Sequence, residues 1–244
     1  MSMFDSRAAG LLALAVLAGI GTSGPARAQA TEPVAAEAAG DRPVNDLTAT
    51  PPAADVVDES VRQLTAWIAA SGDNNQAPFI IIDKVAAKVF AFDSQQRPIG
   101  ETPALVGIAV GDDSAPGVGH KKLAAIPTRD RTTPAGRFVA RLGRESGNKE
   151  VLWIDYDAAI SLHPVITTNR KERRLQRLQS PTPDDNRITF GCINVPATFY
   201  KDVVRPLFIN RTGIVYVIPE TKPLDQVFPM DSRATVASAT PGGR

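Results

Sequence analysis

The sequence contains one cysteine, Cys192, and two histidines among 244 residues. A lone thiol cannot form an internal disulfide, so Cys192 is either an inert core residue or a thiol that the protein uses. Two histidines and one cysteine, without carboxylates clustered at ligand spacing, do not predict a metal site. The formal net charge is only +1, with 27 Lys and Arg against 26 Asp and Glu. Net charge therefore gives no indication of a nucleic-acid partner.

Long hydrophobic runs are also missing, because no stretch approaches the roughly 18 consecutive apolar residues of a membrane span. A shorter apolar run from Ala8 to about Ile20 follows Arg7 and leads to the small-residue end Ala28-Gln29-Ala30. This pattern predicts a cleavable signal peptide over residues 1–30, with the mature protein beginning near Thr31. An uncleaved signal anchor is the alternative.

The rest of the chain divides by composition and periodicity. Residues 31–54, rich in Ala, Pro, Thr and acidic side chains, predict a flexible linker, and the small polar residues 231–244 predict a disordered tail. Residues 55–72 predict an amphipathic helix that packs on the domain, because apolar residues recur at steps of three and four before Gly72: Val57, Val61, Leu64 and Ile68.

A single domain over residues 78–220 is predicted from short β-like runs separated by turn-prone residues. The runs are Phe79–Ile82, Val89–Phe92, Ala104–Val110, Arg137–Leu142, Val151–Ile154, Ala159–His163 and Ile214–Ile218. They predict a mainly β sandwich or small barrel with a few short helices, two of which are expected over Thr168–Leu178 and Pro196–Phe208.

Cys192 lies in the segment Thr189-Phe190-Gly191-Cys192-Ile193-Asn194, between a β-like run and the helix that Pro196 is expected to open. A thiol just before a helix N-terminus is expected to favour the nucleophilic thiolate. Gly191 allows a tight turn in which backbone N–H groups converge where an oxyanion develops. The alternative is an ordinary tight turn before a helix.

A thiol nucleophile needs a base, and the chain offers His120 and His163. His163 ends a β-like run, which would hold its ring rigidly beside a neighbouring strand. His120 lies in the Gly- and Lys-rich stretch 117–122, which predicts an exposed loop. His163 is therefore the better candidate for the base.

Over Phe79–Pro219 the sequence resembles the L,D-transpeptidase catalytic family of the YkuD or ErfK type. Four features occur in the family's order: the opening hairpin with Lys88-Val89-Phe90-Ala91-Phe92 as second strand; the loop Thr133-Pro134-Ala135-Gly136-Arg137-Phe138, matching T-P-x-G-x-F; a histidine ending a strand; and Gly191-Cys192-Ile193-Asn194. Each motif is weak alone, but their order behind an export signal makes the resemblance strong.

The resemblance implies an L,D-transpeptidase-like β fold and a cysteine acyl-enzyme mechanism without a cofactor. Cys192 would attack the carbonyl of the third residue of a donor stem peptide and expel the terminal D-alanine. His163 would act as general base, oriented by the backbone carbonyl of Pro164. Peptidoglycan stem peptides would be the partners, carbapenem-type inhibitors would acylate Cys192, and the exported protein would work in the periplasm.

The chain departs from the family at two positions next to the cysteine. Phe190 stands where the family often has a second histidine, which predicts a changed acceptor site or pocket. Asn194 stands where the family often has an arginine, and Arg187 is a candidate to supply the missing positive charge. Thr189 and Tyr156 complete the expected substrate-binding set, whereas ordinary packing is the expected role of Trp153.

The segment between His163 and Cys192 is longer than in many family members and contains a basic stretch, Arg170-Lys171-Glu172-Arg173-Arg174 with Arg177. A solvated helix face is one interpretation of this stretch, and a lid or a contact for the carboxylates of peptidoglycan stems is the other.

Two alternatives to transpeptidation stay open. Water in place of the acceptor amine would make the protein a peptidoglycan carboxypeptidase or amidase. A cell-wall binding module that has lost catalysis is the second alternative, favoured by Phe190 and the long insertion. The sequence also leaves open whether cross-links join two third residues or a first and a third residue.

Overall fold

A computed structural model describes residues 59–145 and 147–230 of the chain. The predicted signal peptide, linker and tail, and the first residues of the predicted helix 55–72, lie outside the described residues. Within the described residues, no helix is long and apolar enough to cross a membrane.

The fold is mainly β, with ten strands and a few short helices in the described part of the chain. The strands are β1 (Phe79–Asp83), β2 (Lys88–Phe92), β3 (Pro98–Pro103), β4 (Val106–Gly107), β5 (Gly136–Glu145), β6 (Lys149–Asp155), β7 (Ile160–Pro164), β8 (Arg187–Thr189), β9 (Ile193–Val195) and β10 (Thr212–Val217). The helices are α1 (Glu59–Ser71), α2 (Arg174–Leu178), α3 (Ala197–Phe199), α4 (Arg205–Phe208) and α5 (Leu224–Val227). A π-helical turn, Tyr200–Val204, joins α3 to α4.

Eight strands form one sheet in the order β3-β2-β1-β10-β5-β6-β7-β9, and β4 pairs with β8 in a second, two-stranded sheet. The chain leaves β3 at one edge of the large sheet and pairs through Leu105 with Asn194 of β9 at the other edge. This crossing segment makes the large sheet a nearly closed, barrel-like structure. The predicted mainly β architecture is thereby confirmed.

Strand alternation divides the apolar side chains between the two faces of the large sheet. The inner face packs against the helical segment 197–208 and includes Leu152, Leu162, Ile193 and Val215. The outer face of β1, β2 and β10 packs against α1 through Val61, Leu64 and Ile68. Helix α1 covers only these three strands, so it leaves the outer face of β5, β6, β7 and β9 uncovered. The candidate site lies on that face.

Two predictions of local structure were wrong in detail, and one strand was not predicted. The helix expected over Thr168–Leu178 is a 3-10 turn, Arg170–Glu172, followed by α2, because Arg173 adopts a left-handed conformation with φ 50° that interrupts the helix. The strand expected over Ala104–Val110 is reduced to β4. Strand β3 was not predicted, since an exposed edge strand bounded by Pro98 and Pro103 has no apolar alternation.

Candidate active site

Parallel pairing of β7 with β9 brings the candidate catalytic residues together. The register pairs Leu162 with Ile193 and His163 with Asn194. Because side chains two positions apart share a face, Ser161 lies on the same face as His163. The Cys192 thiol immediately precedes β9, and its Sγ lies 3.7 Å from Ser161 Oγ. Four side chains, Ser161, His163, Cys192 and Asn194, therefore form one group, which we call the catalytic quartet after the roles that the sequence predicts for Cys192 and His163.

Cys192 is partly buried, and its thiol contacts the turn before β7. Its Sγ lies 3.6 Å from the Ala159 carbonyl oxygen. Burial by the surrounding protein raises the pKa of the thiol above its ordinary value, and hydrogen bonds from Ser161 oppose this shift only in part. The protonated thiol is therefore the resting form.

The sequence-based argument for a lowered thiol pKa was wrong. Strand β9 separates Cys192 from α3, which begins only at Ala197. The field of a helix dipole falls off within the first turn, so it does not offset burial at this distance.

The ring of His163 is held at both nitrogens. Its Nδ1 lies 2.8 Å from the Pro164 carbonyl oxygen, and its Nε2 lies 3.1 Å from Asn194 Nδ2. Arg174 Nη1 donates to Asn194 Oδ1 at 2.6 Å. Because a guanidinium can only donate, this bond turns the amide nitrogen of Asn194 toward the ring, so Nε2 accepts and Nδ1 donates to Pro164. The network selects the neutral imidazole tautomer with a lone pair on Nε2.

Burial lowers the pKa of His163, and the hydrogen bond to the Pro164 carbonyl opposes the shift. Among charged neighbours, Glu145 also opposes it, whereas Arg174 and Lys149 reinforce it. A raised thiol pKa and a lowered imidazole pKa together favour a neutral pair at rest. Within the described residues no hydrogen bond joins Cys192 to His163, so proton transfer between them requires a closer arrangement or a bridging group when substrate is bound.

Gly191 forms the turn that orients the peptide of Cys192. Its φ of 126° is unfavourable for a residue with a side chain, and a Cβ there would lie 2.6 Å from the Thr132 carbonyl oxygen. Thr133 Oγ1 donates to the Gly191 carbonyl oxygen at 2.8 Å and accepts from Gly107 N at 2.9 Å. In a trans peptide the carbonyl and the following N–H point in opposite directions. Thr133 therefore directs the Cys192 N–H away from itself and fixes the plane of that peptide.

Thr189 supports the same turn from the other side. Its Oγ1 donates to the Cys192 carbonyl oxygen at 2.7 Å and accepts from Gly191 N at 3.1 Å. The side chain is buried, and both of these bonds lie within the turn. Thr189 thus supports the backbone around Cys192, whereas the sequence predicted a contact with substrate.

The guanidinium of Arg187 is directed into a buried charge cluster. It pairs with Glu220 and also donates to the backbone carbonyl of Lys84 at 3.3 Å. Lys84 is itself fully buried and donates to Asp112 Oδ1 at 2.6 Å and to the Thr133 carbonyl at 3.0 Å. The positive charge of Arg187 is therefore neutralised by Glu220, and the cation nearest the quartet is Arg174.

The two aromatic candidates have different surroundings. Phe190 packs against the inner core, and the guanidinium of Arg131 lies 4.0 Å from its ring centroid. Tyr156 is 54% exposed and stacks on Trp153 with centroids 4.7 Å apart. The register pairs Trp153 with Ser161, so Trp153 shares the outer face with the quartet. The stacked pair forms an exposed aromatic surface on that face.

His120 is exposed and ends the 3-10 turn Val118–His120, whose first residue is buried. The preceding Gly119 packs closely against the turn at 157–159, since a Cβ there would lie 2.2 Å from the Asp157 carbonyl oxygen. The same turn contains the Ala159 carbonyl that contacts the thiol. The loop therefore lies nearer the site than the sequence indicated, although no hydrogen bond joins His120 to the quartet within the described residues.

Several residues of the site had no prediction from sequence. Ser161 could have been found by strand alternation, since it lies two positions before His163. Thr133 was recognised as part of a motif, but its contact with Gly191 spans 58 positions and has no local signal. Arg174 was part of the basic stretch, and nothing in the sequence distinguished it from its neighbours. No group of three or more potential metal ligands occurs among the described side chains.

Comparisons with known proteins give distant likenesses only. No family model matches the chain, and no curated protein matches it. Among solved structures, the K307A mutant of the helical cell shape determining protein Pgp2 from Campylobacter jejuni has a TM-score of 0.39 at 15% identity. That match covers 68% of this chain and 58% of the Pgp2 chain, so this chain spans less than two thirds of its length.

The catalytic domain of the E. faecium L,D-transpeptidase has a TM-score of 0.34 at 16% identity, covering 58% of this chain and 97% of that domain. The L,D-transpeptidase LdtMt1 in complex with imipenem has a TM-score of 0.32 at 15% identity, covering 58% and 59% of the two chains. With TM-scores below 0.5, these likenesses carry no functional conclusion for this chain.

Proposed function

We propose that this protein is an exported cysteine acyltransferase that joins stem peptides of peptidoglycan, an L,D-transpeptidase. The observation that supports the proposal most is the catalytic quartet, in which Cys192 lies beside a strand whose histidine is oriented by the Pro164 carbonyl. The order of the motifs around Thr133, His163 and Cys192 in the sequence supports the same family of reactions.

In the proposed reaction the Cys192 thiol transfers its proton toward His163 Nε2 as Sγ attacks the carbonyl carbon of the donor stem's third residue. The Cys192 N–H, in the peptide that Thr133 orients, donates to the developing oxyanion. Protonated His163 gives the proton to the departing amine of D-alanine, leaving a thioester. The acceptor amine then attacks the thioester, loses a proton to His163, and the thiol is regenerated.

In the free protein, the Cys192 thiol and the His163 imidazole are both expected to be neutral, and this affects the first step of the proposed mechanism. Since burial disfavours both the thiolate and the imidazolium, charge separation is unfavourable until substrate is bound. Nε2 must also give up the Asn194 amide before it can accept the thiol proton. The proposed enzyme is therefore expected to be activated by substrate, with little thiolate in the free protein.

Product analysis tests the function directly. The protein without residues 1–30 is incubated with purified disaccharide-tetrapeptides, and the products are separated and weighed. Transpeptidation yields cross-linked dimers and free D-alanine, and Cys192→Ala gives neither. Fragmentation of the dimer identifies the joined residues and so distinguishes a third-to-third from a first-to-third link. Loss of D-alanine without dimers would contradict transpeptidation.

Hydrolysis is the second candidate, because Cys192 is only partly buried and water could therefore reach an acyl group on its thiol. In that case the same incubation yields tripeptide monomers at every acceptor concentration. For a transpeptidase the ratio of dimer to tripeptide rises with acceptor concentration, since amine and water compete for one thioester.

From the resemblance of the sequence to L,D-transpeptidases, we also propose that a carbapenem acylates Cys192. Incubation with imipenem should add the mass of the drug to the wild-type protein and to a peptide containing Cys192, but not to Cys192→Ala. The proposed location is the periplasm, and N-terminal sequencing of the mature protein from that compartment would test cleavage near Thr31.

A further inference from the structure

A polar cavity of about 480 Å³ is lined in part by Arg174, the residue that donates to Asn194 of the catalytic quartet. It is lined by three arginines, Arg170, Arg173 and Arg174, and by the hydrogen-bonding side chains of Thr167, Asn169 and Gln176. No carboxylate is among the residues that line it. The cavity is therefore strongly cationic, and its neutral groups suit the N–H and C=O groups of a peptide.

The three arginines differ in how they are used. Arg174 pairs with Glu172 and donates to Asn194, so its guanidinium is already bonded within the network that holds His163. Arg170 and Arg173 are exposed, and within the described residues neither side chain pairs with a carboxylate or makes a hydrogen bond. Two unpaired guanidinium groups at the mouth of one cavity provide bidentate donors for a carboxylate.

The backbone explains why Arg170 and Arg173 reach the same cavity. Arg173 adopts φ 50°, a conformation unfavourable for a residue with a Cβ, and this turns the chain between the 3-10 turn and α2. A continuous helix would have made a single solvated face of the basic stretch. The break instead gathers three guanidinium groups around one concave surface.

The contacts of the cavity with the quartet indicate which of the two substrates, donor or acceptor stem, binds there. Arg174 lines the cavity and is joined through Asn194 to His163 Nε2, so two hydrogen bonds separate the cavity wall from the proposed base. In the proposed reaction the acceptor amine must reach His163 to lose its proton. A peptide that occupies the cavity is therefore connected to the base through Arg174 and Asn194.

We infer that this cavity is the acceptor subsite and that Arg170 and Arg173 bind a carboxylate of the acceptor stem peptide. The inference depends on the proposed function, because it identifies the second substrate of the same site. It assigns to the basic insertion a role in binding. The conformation at Arg173 serves that role by directing the arginines into one cavity.

Binding measurements with two ligands and a set of variants test the subsite in the absence of turnover. Cys192→Ala protein is titrated with a disaccharide-tripeptide that has free carboxylates and with the same ligand fully amidated. The free acid should bind about fivefold more tightly than the amide, a ratio appropriate to exposed ion pairs, and the ratio should fall as salt is raised. Adding Arg170→Gln and Arg173→Gln together should abolish this difference. Arg211→Gln, which changes an exposed arginine outside the cavity, should leave it intact.

If the double variant keeps the full difference between acid and amide, the carboxylate is bound elsewhere and the inference is wrong. In turnover assays on protein with intact Cys192, the double variant should raise the KM for acceptor, whereas Arg211→Gln, an exposed arginine that does not line the cavity, should leave this KM unchanged. Carboxylate-dependent binding without any cross-linking would contradict the proposed function alone. Cross-linking that is indifferent to Arg170 and Arg173 would contradict only the subsite.

Discussion

The hydrogen bond from Asn194 to His163 predicts a measurable change in the titration of the imidazole. Asn194 Nδ2 donates to Nε2 at 3.1 Å, a bond that exists only while Nε2 is unprotonated. Removing the donor in Asn194→Ala takes away a stabilisation of the neutral ring. A hydrogen bond of this kind contributes about 1 kcal/mol net, which corresponds to about a fivefold change in the ratio of imidazole to imidazolium.

The sign follows from the form that the bond stabilises. Because the donor favours neutral His163, it acts in the same direction as burial, and both lower the pKa of the ring. In Asn194→Ala the pKa of His163 should therefore rise. At a pH just below the ordinary imidazole pKa more of the base is protonated, so the acid limb of the rate profile should move to higher pH.

The assay is NMR titration of the histidine ring protons in wild type and Asn194→Ala. Of the two histidine signals, only that of His163 should move, and that of His120, which lies outside the network, should be the same in both proteins. Thermal unfolding of both proteins controls for a loss of folding. A His163 titration that is unchanged, or that moves to lower pH, would refute the proposed hydrogen-bond network.

Other substitutions test the base, the turn and the buried charges. His163→Ala should remove most activity and His120→Ala little, since only His163 is anchored beside Cys192; the reverse pattern would mean that the site is wrongly assigned. Thr133→Val should destabilise the fold by about 1–3 kcal/mol in denaturant and slow acylation, because two buried groups lose their partner; a variant as stable and fast as wild type would refute this. Lys84→Met removes the cation that pairs with buried Asp112 and should lower the free energy of unfolding by about 3–5 kcal/mol, whereas the exposed control Lys88→Met should lower it by about 0–1 kcal/mol. Equal losses in the two variants would contradict the buried cluster.

Much of the fold followed from the sequence because its strands are short apolar runs with clear turn signals. Strands at Phe79–Asp83 and Thr212–Val217 lie where the runs predicted them, and the helical segment 197–208 begins after Pro196 as expected. Strand β3 escaped prediction because it is a mostly exposed edge strand without apolar alternation. The broken helix at Arg173 escaped because no glycine or proline marks the left-handed residue.

The site was predictable only in its two most distinctive residues. Cys192 and His163 became candidates because each is a rare residue type within a recognisable motif, and the structure places both in the quartet. Asn194 was noted as a departure from the family, but its bonds to His163 and Arg174 depend on the parallel register of β7 and β9. Long-range pairing of this kind is invisible in a single sequence. The direction of the thiol pKa was wrong for a related reason, since the intervening strand β9 was not foreseen.

The most direct test of the central claim is to trap the acyl-enzyme. Protein lacking residues 1–30 is mixed with a disaccharide-tetrapeptide donor, quenched with acid within the first turnover, digested and mapped by mass spectrometry. We expect a thioester on Cys192 whose added mass is that of the donor minus D-alanine. We also expect that Cys192→Ala carries no adduct and releases no D-alanine. Release of D-alanine at the wild-type rate by Cys192→Ala, or an adduct on another residue, would contradict the central claim.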